Sequence, residues 1–143
     1  MDVIVNKKKD QFLQVLYEAK LSPIFEFRMT ENDVVFRSIQ PMKESVPSQI
    51  LFRLDGSIYN DCMVTFGSVE NKKKKGKILE LMNELNSYNR VCKYCISEQD
   101  DLYFTYTYVA EPENFDPKLF LTLGTQLYKD FVENQYSKFE AVM

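Results

Sequence analysis

Four strand-like segments follow one another between Ile24 and Phe66, and that run constrains the fold more than any other feature of the chain. Ile24 to Met29 sets Ile24, Glu26 and Arg28 against Phe25, Phe27 and Met29, a period of two with one apolar face. Thr30-Glu31-Asn32-Asp33 is turn chemistry, because short polar side chains bond their own backbone. Val34 to Ile39 is β-branched and is expected to pair back as a hairpin. The polar stretch holding Pro41 and Pro47 predicts a longer connection. Ile50, Phe52 and Leu54 share one face of the next strand. Asp55-Gly56 then signals a tight hairpin into a fourth strand, Ile58 to Phe66. Asn60-Asp61 interrupts that strand and predicts a bulge.

Helical periods bracket these strands. Phe12, Val15, Leu16 and Ala19 recur at helical spacing over about Lys7 to Lys20, until Ser22-Pro23 stops the ladder. Gly67-Ser68 is expected to open a second helix, with Ser68 as its cap and Glu70 in the first turn. Ile78, Leu81, Met82 and Leu85 form its apolar stripe, which ends near Asn86 to Asn89. Arg90 to Ile96 and Leu102 to Val109 read as two further strands around an acidic turn. Asp116-Pro117 is a strong helix start, a capping acid followed by a proline whose missing N–H costs nothing there. Leu119, Phe120, Leu123, Leu127 and Phe131 continue that helix, and Gly124 within it points to close approach by another element. The order is α-β4-α-β2-α, an α+β class, and residues 1–143 show no repeat or linker that would divide them.

Composition removes most catalytic chemistry. The 143 residues contain no histidine, which excludes imidazole bases, His-dependent triads and His-bearing metal sites. Only four glycines are present, too few for most Gly-rich phosphate loops. No cofactor is indicated. Eighteen basic against twenty-one acidic residues give a net charge of -3, too mild to imply a nucleic-acid or membrane partner for the whole molecule. Three cysteines and an acid-first N-terminus without a secretory pattern lead us to expect a soluble, cytoplasmic protein with reduced thiols.

Four constellations remain. Cys92-Lys93-Tyr94-Cys95 spells C-x-x-C, but residues three apart on a strand face opposite ways, which favours ordinary strand cysteines over a redox or metal pair. Lys72, Lys73, Lys74, Lys75 and Lys77 sit near a helix start, where cations oppose the dipole; the patch reads as a solvated first turn or, alternatively, as an anion-binding site. Leu102, Phe104, Tyr106 and Tyr108 form one continuous face of an aromatic strand, read as core plus a dimer or partner surface ahead of a base-stacking platform. Asp100-Asp101 and Glu111/Glu113 are paired acids in turns and loops, where catalytic carboxylates would need a cleft.

The segment from Ile78 to about Tyr136 resembles the YbjN family, which shares the type III secretion chaperone-like fold. The likeness lies in Leu-Glu-Leu-Met-Asn-Glu-Leu-Asn at 79–86, the strand at 90–97, the acidic turn at 98–101 and the aromatic strand ending at Val109. The Phe-Asp-Pro opening of a long final helix at 115–117 completes it. The resemblance implies an antiparallel sheet with helices packed on it, no catalytic residues, and a protein-binding, chaperone-like or regulatory role with a tendency to dimerise. The expectation is therefore a non-catalytic module that holds a protein or peptide client. Phe104, Tyr106 and Tyr108 would form its surface, with Leu81, Leu85 and Leu127 in the supporting core. The alternative is an anion- or nucleic-acid-binding regulator using Lys72 to Lys77.

Overall fold

A computed structural model describes residues 2–143. Its elements are α1 (Val3–Glu18), β1 (Glu26–Met29), β2 (Asp33–Lys43), β3 (Val46–Asp55), β4 (Tyr59–Ser68), α2 (Lys75–Tyr88), β5 (Cys92–Ile96), β6 (Asp101–Val109), α3 (Pro117–Asp130) and α4 (Tyr136–Glu140). One antiparallel sheet runs β1-β2-β3-β4-β6-β5. The expected α-β4-α-β2-α order holds, with a π-helical turn at Phe131–Gln135 joining α3 to α4.

Several boundaries shift for identifiable reasons. α1 begins at Val3 because the Asp2 carboxylate accepts the Ile4 N–H at 2.8 Å. No long connection separates β2 from β3: the strands run through both prolines, which sit opposite one another, to a tight turn at Glu44-Ser45. The hydrogen-bond phase explains this. Thr30 N–H bonds Asp33 C=O, so Val35 and Arg37 bond β1 and the even positions of β2 bond β3. Pro41 then points its missing donor past the end of β1, and Pro47 past the start of the β3–β4 ladder at Gln49.

β4 also corrects the sequence reading. Its register runs unbroken through Asn60 and Asp61, and the irregularity falls between Thr65 and Gly67. Ser68 does not cap a helix; it ends β4 opposite Asp101. Asn71 instead caps a 3-10 turn over Lys72–Lys74, accepting the Lys73 N–H at 3.0 Å, and α2 follows.

The core lies on one face of the sheet. Val34, Phe36, Ile50, Phe52, Leu54, Cys62, Val64, Phe66, Phe104 and Tyr106 all have even numbers, share that face and are buried beneath the helices. Phe12 of α1 reaches Phe36, Phe52 and Phe120 at centroid distances of 4.8, 5.2 and 5.7 Å. Phe131 and Phe139 close on Phe66 at 4.5 and 4.8 Å. Each fully buried ring contributes on the order of 2 kcal/mol by removal from water. Gly124 allows the close approach its position suggested: a Cβ there would stand 2.6 Å from the Phe52 ring and 3.2 Å from Cys62 Sγ.

A buried lysine ties α1 to the far end of β3 and β4. Lys8 is 1% exposed and donates to Asp55 C=O at 2.9 Å, Ser57 C=O at 2.8 Å and Asn60 Oδ1 at 2.8 Å. Its Nζ lies 5.3 Å from the centre of the Phe115 ring. Burial lowers its pKa, while the nearby carboxylates of Asp55 and Asp2 oppose that shift. Asn60 also donates to Tyr108 C=O at 3.0 Å. The polar residue that suggested a bulge is the receptor for this ammonium.

Candidate binding surface

The strand expected to present a surface presents a core. Phe104 and Tyr106 are 1% and 2% exposed. Phe104 packs on Phe131 and Tyr94, and the Tyr106 hydroxyl donates to Phe120 C=O of α3. Tyr108 is half-buried, stacks on Phe120 at 5.9 Å, and its hydroxyl accepts the Asp116 N–H at 3.3 Å. Their placement as a partner-binding surface is thereby corrected, because α3 folds across this face. Leu85 is buried and Leu81 and Leu127 are partly buried against the core, where they were expected.

Among the described residues, no helix lies on the opposite face of the sheet. One cross-strand row on it spans all six strands: Glu26, Arg37, Leu51, Met63, Thr105 and Lys93. Val35, Leu51, Met63 and Tyr103 are half-buried there, and Ile39 is 62% exposed. Charge frames this band. Arg37 Nε bonds Glu26 at 2.9 Å. Arg53 bonds Asp33 at 2.8 Å and lies 3.2 Å from Asp55 and 3.8 Å from Asp61. The Thr30 hydroxyl and the Arg53 guanidinium hold the Asp33 carboxyl below its ordinary range against the opposing effect of burial. A cleft of about 470 Å³ opens on this face between β1 and β3, lined by Glu26, Arg28, Val35, Arg37 and Leu51.

The lysine patch is partly engaged. Lys74 donates to Met143 C=O at 2.6 Å and Lys75 bonds Asp100 at 2.7 Å, which lowers the Asp100 pKa. Lys72, Lys73 and Lys77 are exposed. The chain's other lysine run, Lys7 to Lys9, does not converge with this patch. Lys8 binds at Asn60, whereas Lys75 binds at the turn beside Ser68, about 26 Å away along β4 at ~3.3 Å per residue.

The cysteines diverge as their strand spacing required. Cys92 lies opposite Tyr106 on the covered face and Cys95 opposite Tyr103 on the bare one. Burial pushes the Cys62 thiol up strongly and the Cys92 thiol up to about 11, so neither is a nucleophile at neutral pH. Among the described residues, no three Cys, Asp or Glu side chains converge in a way that could hold a metal ion, and no helix is long and apolar enough to cross a membrane.

Sequence reasoning assigned the partner surface to the covered face because the odd-numbered residues of the bare one mix apolar and charged side chains. The available signal was the odd series of β2 to β4, in which Val35, Leu51 and Met63 fall in register. Fold and surface together define an antiparallel α+β module with helices on one side of its sheet. Comparison with family models, with curated proteins and with solved structures finds no match.

Proposed function

We propose that this chain is a non-catalytic protein-binding module, chaperone-like or regulatory as the YbjN resemblance implies, which holds a client on the bare face of its sheet. The observation behind this reading is the band of Val35, Leu51, Met63 and Tyr103, framed by charges of both signs. Apolar centres with polar rims are the usual anatomy of protein interfaces. Arg37 and Arg53 suit it further, since arginine is enriched where partners meet. Exposed Lys72, Lys73 and Lys77 leave room for the anion-binding alternative, but two members of the run already have protein acceptors.

The test compares tagged wild type, Leu51→Lys and Tyr88→Lys in affinity capture from the lysate of the native host. Tyr88 is 77% exposed at the end of α2, on no strand of the sheet, and serves as the control. A stoichiometric protein partner retained by wild type and by Tyr88→Lys, and lost from Leu51→Lys, supports the reading. Identical capture by all three overturns it. Capture of nucleic acid alone, lost steeply with salt, would move the reading to the lysine patch.

A further inference from the structure

The two edges of the sheet are treated differently. At β5 the Asn86 side chain of α2 takes the place of a neighbouring strand. Its Nδ2 donates to Tyr94 C=O at 3.0 Å and its Oδ1 accepts the Tyr94 N–H at 2.7 Å. That blocks the edge where another chain could pair. β1 at the other edge has no such cover. The phase of the β1–β2 ladder turns the N–H and C=O groups of Glu26 and Arg28 toward β2 and those of Phe27 and Met29 outward. No hydrogen bond to these outward groups is present among the described residues. Phe27 and Ile24 are 47% and 45% exposed beside them.

We propose that β1 pairs antiparallel with β1 of a second copy of this chain, joining two six-stranded sheets across a two-fold axis at Phe27. Charge selects that register. Over residues 25–29, three symmetric pairings match outward-facing residues across at least three positions. Centring on residue 26 sets Glu26 against Glu26 of the partner subunit, and centring on residue 28 sets Arg28 against Arg28 of the partner subunit. Like charges directly opposite one another disfavour both. Centring on Phe27 sets Glu26 opposite the partner's Arg28 and Arg28 opposite the partner's Glu26, all on the bare face. Arg28 has no acidic partner within 4.0 Å among the described residues, so it is available for this pair. On the other face the same register sets Phe25 opposite the partner's Met29, which extends the apolar layer. Phe25 N–H is already taken by Ser22 C=O, so the junction has four backbone bonds, two from Phe27 and two from Met29.

This inference rests on the protein-binding reading and names a second copy as one partner. It concerns the edge of the sheet, while the client occupies the face, so the two fail separately. Sedimentation equilibrium of the full chain should give twice the 16.9 kDa chain mass. Arg28→Glu alone and Glu26→Arg alone should each weaken self-association by about tenfold or more, because two attractive pairs become repulsive. An equimolar mixture of the two variants should restore the dimer, since every facing pair is then opposite in charge. That rescue also shows that both variants fold. A wild type that stays at the chain mass, an Arg28→Glu variant that dimerises like wild type, or a mixture that fails to recover would each overturn the proposal. A wild type that dimerises but captures no client, or a Leu51→Lys variant that captures it unchanged, would instead refute the function assigned to the face.

Discussion

Neighbouring residues of β6 have opposite fates. Phe104 is sealed beneath Phe131 and the helices, whereas Thr105 faces outward in the row that crosses all six strands. The covered face is aromatic and tightly packed. The bare face carries a band of apolar side chains framed by arginines and acids. The difference shows that the packed core resides on one side of this sheet.

Truncating each face should break that comparison most visibly. Phe104→Ala should cost about 3–5 kcal/mol in urea unfolding, from lost transfer energy and the cavity left behind. Thr105→Ala should change stability by less than about 0.5 kcal/mol plus the loss of its hydroxyl bond to Cys62 C=O, near 1 kcal/mol at most. Equal losses at the two positions would mean that the bare face is part of the core.

Lys8→Met comes next. It strands Asp55 C=O, Ser57 C=O and Asn60 Oδ1 without their donor, and should cost about 2–3 kcal/mol. Adding Asn60→Leu should cost less than the sum of the two single changes, because the orphaned acceptor is removed with its donor. Strict additivity in denaturant titrations would show that Lys8 and Asn60 do not act as a pair.

A smaller effect should follow Gly124→Ala. Helix propensity would gain about 1 kcal/mol, but a Cβ at 2.6 Å from the Phe52 ring forces the core to shift. Thermal unfolding should show a net loss of about 1–2 kcal/mol, and a stabilised variant would mean that the Phe52 ring yields freely.

The smallest effect belongs to the bare face and depends on pH. Asp33 has its pKa lowered from an ordinary 3.8 by the Thr30 hydroxyl and by Arg53. A group depressed on folding stabilises the protein above its unfolded pKa, and that contribution is lost as pH falls through the folded value. Asp33→Asn should therefore flatten the acid limb of the stability profile below about pH 4 and leave stability at higher pH offset by under about 1 kcal/mol. An unchanged acid limb would place the acid sensitivity elsewhere.

Much of the architecture was legible in local chemistry. The Asp116-Pro117 start holds as written, with Asp116 accepting the Leu119 N–H at 3.0 Å, and the two-residue period of β3 places Ile50, Phe52 and Leu54 together in the core. The misread places share a cause. Pro41 and Pro47 looked like breakers, yet each points its missing donor past the end of a neighbouring ladder, and only those ladders decide that. Lys8 stands in a run of three lysines that carries no local sign of burial, yet three acceptors more than forty residues away receive it.

What the sequence determined by itself was the element order and the grouping of residues onto faces, because strand and helix periods are set by the backbone within a few residues. Only the tertiary structure decided which face of the sheet the helices cover, and hence that Phe104 and Tyr106 are core while Val35, Leu51 and Met63 are surface. It also decided that Asn86 closes one edge and leaves β1 open at the other. Burial and edge protection depend on what lies across space from a residue, and period alone carries no record of that.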